Sequence, residues 1–131
     1  MENQTAFFKH KLEFETDPSD LYGALENGER IIVVDTRSKE SFEKEHIPGA
    51  ISFPHRTMNA ETTSHLDKSL VYVTYCTGVG CNASTKGAYN LSGLGFKVKE
   101  LIGGFECWKR DGYATEGKNC ALENKSSCGC N

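Results

Sequence analysis

Two short apolar runs constrain this chain most. Ile31-Ile32-Val33-Val34 is β-branched throughout, and Leu70 to Tyr75 is rich in β-branched and aromatic residues. Neither has room for a solvent-facing polar side. A strand of this kind is buried on both faces, as in the middle of a parallel sheet. Parallel neighbours need long crossovers, usually helices, so helical signals must lie between the runs. They do. Asp17-Pro18 reads as an N-cap with proline in the first turn, followed by Leu21 and Leu25 and stopped by Asn27-Gly28. Ser38 caps a second segment carrying Phe42. Ala83 to Ser92 has helical spacing through Ala88 and Leu91, with Gly93 and Gly95 at its end. Gly103-Gly104 opens a last helix with Phe105 and Trp108, stopped near Gly112.

Ala50-Ile51-Ser52-Phe53, halted by Pro54, and Val98 to Ile102 read as further strands. Lys11-Leu12-Glu13-Phe14 alternates and is expected to form an edge strand. Residues 55–69 are polar and irregular, with a helical turn near Leu66. Strands alternating with helices argue for an α/β domain with a parallel sheet covered on both faces. The chain has 131 residues, which suits one domain. That domain is expected over residues 1–114, and residues 115–131 lack apolar periodicity and read as a flexible tail containing cysteines.

Fifteen Lys and Arg against eighteen Asp and Glu give −3, so there is no broad basic face and no nucleic-acid partner is expected. No apolar run approaches the roughly 18 residues needed to span a bilayer, so no membrane partner is expected. Met1 to Thr5 has neither a basic start nor an apolar core, so a cytoplasmic location is expected. In a reducing compartment the six cysteines point to catalysis, redox chemistry or metal rather than to a disulfide frame.

The chemistry centres on Cys76. It directly follows the buried run ending at Tyr75, and the loop Thr77-Gly78-Val79-Gly80-Cys81-Asn82 then opens a helix. This puts a thiol at the carboxyl end of a parallel sheet, where open α/β folds place their ligands. Successive loop N–H groups and the helix N-terminus make an anion nest. Such a field favours thiolate over thiol and can hold a sulfur-bound anion. Gly78 and Gly80 supply the backbone freedom a cradle needs.

Three segments together resemble the single-domain rhodaneses, a family of sulfurtransferase-type domains. Ile31 to Arg37 with Phe42 resembles the family's strand, Asp-x-Arg and helix. His46-Ile47-Pro48-Gly49-Ala50-Ile51 resembles its His-Ile-Pro-Gly-Ala signature. Tyr75-Cys76 with its loop, then Gly103-Gly104-Phe105-Glu106-Cys107-Trp108, resembles its active loop and closing segment. The resemblance spans residues 11–114. It implies a three-layer domain with a five-stranded parallel sheet, and a Cys76 thiolate that takes sulfane sulfur as a persulfide and passes it to a thiol or cyanide. No cofactor is implied. The partners implied are a small-molecule or protein persulfide donor and a thiol acceptor.

The loop departs from the family's thiosulfate-active pattern, which usually carries Arg or Lys there. Residues 76–84 hold no charged side chain, and the first cation is Lys86, inside the helix. This argues against thiosulfate as the natural donor. The loop is also about two residues longer than the common version, which leaves room for a larger donor or acceptor. Phosphatases on the same fold use C-x5-R, whose Arg grips the phosphoryl group. Asn82 stands at that position, which argues against phosphatase activity.

Cys81 has two readings: a small residue lining the loop, or a resolving thiol that forms a disulfide with Cys76 or accepts its persulfide. Asp35 and Arg37, at a strand end, are auxiliary candidates with Lys86; the plainer expectation is that Arg37 pairs with Glu40 and holds a loop. His46 reads as structural, and Cys107 and Trp108 as helix packing. Cys120, Cys128 and Cys130 form C-x7-C-x-C, a weak candidate for Zn or Cu(I), for a sulfur relay or for a disulfide. Alternatives to the enzyme are a non-enzymatic persulfide carrier or docking module, and a thiol-redox or metal-handling protein using Cys81 and the tail.

Overall fold

A computed structural model describes residues 2–118. Eleven elements follow one another: α1 (Glu2–Phe14), β1 (Glu15–Thr16), α2 (Pro18–Glu26), β2 (Ile31–Asp35), α3 (Lys39–Lys44), β3 (Ile51–Ser52), a 3-10 turn (His55–Thr57), β4 (Val71–Tyr75), α4 (Ala83–Gly93), β5 (Lys97–Leu101) and α5 (Gly104–Arg110). The five strands form one sheet in the order β1-β5-β4-β2-β3. Every pairing is parallel, with Val33 opposite Val73 and Asp35 opposite Tyr75.

The caps fall where short polar side chains can satisfy first-turn N–H groups. The Asp17 carboxylate accepts from the Asp20 N–H at the start of α2, and Ser38 accepts from Ser41 N–H at the start of α3. Alternate residues of the central strands go to opposite faces. Val33, Val73 and Tyr75 join Leu21 of α2 and Phe105 and Trp108 of α5 on one face. Val34 and Tyr72 join Leu91 of α4, Met58 and Phe96 on the other. Two cores over one sheet give the three layers.

Two expectations are corrected. Lys11–Phe14 is not an edge strand but the last turn of α1; the edge strand is Glu15–Thr16, which pairs with β5. Four alternating residues do not separate strand from helix when no Gly or Pro interrupts the thirteen residues of α1. A Lys11–Glu15 pair at helical spacing (3.0 Å) and Glu2 near the N-terminus support the helix instead. The domain also holds the chain past residue 114. Thr115 is buried and donates to a Glu45 carboxylate oxygen (2.7 Å), and Glu116 forms an antiparallel bridge with His46. The cysteines at 120, 128 and 130, with the readings attached to them, lie outside the described residues. No described helix is long and apolar enough to cross a membrane.

Candidate active site

The carboxyl ends of β2 and β4 meet side by side, and two loops leave from them. After β4 the backbone is pinned from both sides. The Tyr75 carbonyl accepts from the Thr36 N–H (3.0 Å) and the Thr36 hydroxyl (2.7 Å). The Cys76 carbonyl accepts from Phe105 N–H and the Thr77 carbonyl from Glu106 N–H, both at 2.8 Å. Closeness of α5 requires glycine at its first residue: with φ +60°, a Cβ on Gly104 would lie 2.5 Å from the Cys76 oxygen and 3.0 Å from the Gly78 Cα. The double glycine is therefore a device for bringing a helix onto the loop.

Cys76 is only 2% exposed, at the floor of the loop, whereas Thr77, Val79, Gly80, Cys81 and Asn82 are exposed and Gly78 is half-buried. Cys81 N–H donates to the Gly78 carbonyl (3.2 Å), which folds the loop back as a tight turn, with Gly80 at φ +93°. That turn returns Cys81 to Cys76, and the two are joined by a disulfide, their Cα atoms 6.3 Å apart. This spacing is within the ordinary span of a disulfide. The N–H groups of Thr77, Gly78, Val79 and Gly80 donate to no protein acceptor among the described residues. Asn82, the N-cap of α4, makes no side-chain cap bond, so the first-turn N–H groups beside the loop are also left open.

The start of α4 is fixed from below. Thr74 hydroxyl donates to the Ser84 carbonyl (2.9 Å), and the hydroxyls of Ser84 and Thr85 both donate to one Glu100 oxygen (2.7 Å each). Gly87 passes close over Thr36 and Met58, where a Cβ would press on the Thr36 methyl. Lys86 is exposed and faces the 3-10 turn. Burial, and then the charges of Lys86 and Arg56, hold His55 below its ordinary pKa.

Asp35 and Arg37 are brought to the neighbouring strand end, but they are committed to each other. Arg37 Nε and Nη2 donate to the two Asp35 oxygens (3.0 and 2.7 Å), and Arg37 N–H donates to Oδ1 (2.9 Å). Tyr75 hydroxyl adds a bond to Oδ2 (2.9 Å). The expected pairing of Arg37 with Glu40 is not what forms. Asp35 is nearer and wholly buried, and an unpaired buried carboxylate would be costly. Arg37 Nη2 instead reaches the Glu45 carbonyl (2.7 Å), and its guanidinium lies over Phe105, 4.7 Å from the ring centroid. Burial works against the Arg37 charge, but the Asp35 bond and charge outweigh it and hold the pKa above its ordinary value. Burial, then the Asp35 carboxylate, push the Tyr75 phenol far above its usual range, so the phenol remains a donor.

His46 is structural in its contacts. Its ring stacks on Phe42 (3.8 Å), and Nδ1 donates to the Phe42 carbonyl (2.6 Å). Trp108 is buried and Cys107 is a half-buried free thiol. Sequence reasoning missed Glu106. Its carboxylate lies against the loop so closely that a Cβ on Gly78 would collide with it. The signal was its place two residues after the double glycine, which α5 needs for its approach.

Comparison with known proteins agrees with this geometry. The model of the Rhodanese-like domain family matches residues 17–111. A Coxiella burnetii protein named thiosulfate sulfurtransferase GlpE is 37% identical over 81 residues, covering 60% of this chain and 72% of its own. Chloroplastic thiosulfate sulfurtransferase 16 of Arabidopsis thaliana is 31% identical over 93 residues, covering 63% and 78%. Among solved structures, the BH2092 protein of Bacillus halodurans superposes with a TM-score of 0.85 at 44% identity, covering 90% of this chain and 87% of that one. The rhodanese-like domain of Anabaena Alr3790 superposes at 0.72 with 30% identity, covering 84% and 83%.

Proposed function

The chain belongs to the Rhodanese-like domain family, and on that premise we propose that it is a sulfurtransferase working through a persulfide on Cys76. The observation that carries the reading is the position of Cys76. It lies at the floor of a loop of unpartnered amides, between a buried central strand and the open N-terminus of α4. In the reduced protein the Cys76 thiolate attacks the outer sulfur of a donor persulfide, and the donor thiolate leaves. An acceptor thiolate then attacks the outer sulfur on Cys76 and the Cys76 thiolate leaves. The loop amides stabilise the anionic sulfur at each stage, and the same amides favour a thiolate resting state.

The relatives are named for thiosulfate. In this chain the loop carries no cation and Glu106 adds a carboxylate against Gly78. A dianion meets repulsion there, which favours a donor of lower charge, such as an organic persulfide. Asp35 and Arg37 serve as the clamp that holds the loop's neighbour rather than as reacting groups.

Intact-protein mass spectrometry of the reduced protein tests the reading. Incubation with a low-molecular-weight persulfide should add one sulfur, about 32 Da, to a protein in which Cys81 has been replaced by serine, and reduction should remove it. Cys76→Ser should add none and should lose sulfur transfer by on the order of a thousandfold. Full transfer by Cys76→Ser would end the proposal.

A further inference from the structure

Cys81 is bonded to the sulfur on which the proposed chemistry depends, and that fact reaches beyond transfer to an external acceptor. A Cys76 persulfide offers two sulfurs. Attack on the outer one moves the sulfane sulfur to the attacker. Attack on the inner one, Cys76 Sγ, makes a disulfide to Cys76 and expels hydrosulfide. The bond in the structure joins Cys76 Sγ to Cys81 Sγ, which is the bond the second attack makes and the first does not. The loop is built to reach it. The turn closed by Cys81 N–H on the Gly78 carbonyl brings the two residues together, five apart in sequence. Gly80 takes the positive φ the turn needs, and nothing else in the protein claims the N–H groups of Thr77 to Gly80 among the described residues.

We propose that Cys81 is a resolving thiol and that the protein releases hydrogen sulfide as a dithiol-dependent persulfide reductase. The proposal rests on the Cys76 persulfide reading and names a fate for its sulfur. The Cys81 thiolate attacks Cys76 Sγ; the new Sγ–Sγ bond forms as the Sγ–sulfane bond breaks, and hydrosulfide leaves with the electron pair. The sulfane sulfur is reduced to sulfide and the two cysteines are oxidised to the disulfide. A dithiol reductant, of the kind that becomes an internal disulfide, then exchanges with Cys76–Cys81 and restores both thiols. In sum, one organic persulfide and one dithiol give one thiol, one hydrogen sulfide and one oxidised dithiol.

Two features favour this path. The attack is intramolecular, across a short loop, so it outcompetes a dilute external thiol. Cys81 is exposed while Cys76 is buried, so a reductant meets Cys81 first. Its attack there would release the Cys76 thiolate into the loop amides.

A single-turnover experiment on the full chain tests it. Protein is reduced, freed of reductant and mixed with one equivalent of glutathione persulfide; sulfide is trapped while intact mass and peptide maps are taken. Wild type should release about one equivalent of sulfide and end about 2 Da lighter than the reduced protein, with the bond mapped to Cys76 and Cys81. Cys81→Ser should hold the persulfide on Cys76 and release sulfide at least about a hundredfold more slowly. Three results would overturn the proposal: sulfide release from Cys81→Ser at the wild-type rate, a stable Cys76 persulfide in wild type, or the added sulfur mapped to Cys81. If Cys81→Ser takes up no sulfur at all, the persulfide reading itself fails, and this proposal with it.

Discussion

The loop leaving β2 and the loop leaving β4 begin at paired positions, Asp35 opposite Tyr75, yet they are built in opposite ways. The first is charged and closed. Its carboxylate and guanidinium satisfy each other, and the remaining capacity goes to Tyr75, the Glu45 carbonyl and the Phe105 face. The second has no charged side chain and leaves four successive N–H groups without protein acceptors among the described residues. Charge alone does not mark the reacting loop. A buried ion pair that is fully bonded has nothing left for a substrate, whereas unpartnered amides over a buried sulfur hold their capacity in reserve.

The largest effect expected from breaking this contrast is on stability. Arg37→Ala leaves Asp35 buried without its cation and should cost about 3–5 kcal/mol, as removal of one partner of a buried pair does. Urea unfolding measures it. A loss below about 1 kcal/mol would place the pair among weak surface bridges and remove the distinction between the loops. Whatever folded protein remains should still load sulfur on Cys76, because the second loop takes no hydrogen bond from Arg37.

A smaller effect concerns alkaline pH. Tyr75 is an acid whose folded pKa is raised by burial and by the Asp35 carboxylate. Its contribution is therefore fully present below the unfolded value of about 10 and is lost as pH rises above it, because only the unfolded chain then gives up the proton. Tyr75→Phe is less stable at neutral pH but has no such proton to lose. Between about pH 9 and about pH 11, wild type should lose more stability than the variant, by up to roughly 1 kcal/mol. Equal losses would mean that the phenol is not held protonated by the first loop.

Much of this was legible in residues. Two apolar runs placed β2 and β4, Asp17 and Ser38 marked helix starts, and Cys76 stood out because a thiol between a buried strand and a glycine loop has few other uses. What failed depended on tertiary proximity. Arg37 chose Asp35 over Glu40 because burial of the carboxylate made that bond the costly one to omit. Lys11–Phe14 joined a helix because the alternation was too short to oppose the rest of the segment. Thr115 looked like tail because its partner, Glu45, is seventy residues away. The closure of Cys81 on Cys76 needed a backbone turn that spacing permits but does not dictate.

Glu106 sets the finest test. It belongs to neither loop, yet its carboxylate lies against Gly78 while its side chain makes no hydrogen bond or ion pair among the described residues. Its charge therefore acts on whatever enters the loop. Two like unit charges about 4 Å apart repel by about 1 kcal/mol when water screens them fully, as around an exposed carboxylate, and a dianion feels this twice. Glu106→Gln should raise kcat/KM for thiosulfate by roughly thirtyfold at low salt, and for a singly charged persulfide by only about fivefold. Added salt should shrink the difference between variant and wild type, because an exposed carboxylate is screened over about 10 Å at 0.1 M. If both donors gain equally, Glu106 acts on the Cys76 thiolate rather than on the donor: removing its charge would then favour the thiolate for every substrate alike. If neither gains, the amides alone govern the loop's preference, and the carboxylate against Gly78 is a packing contact.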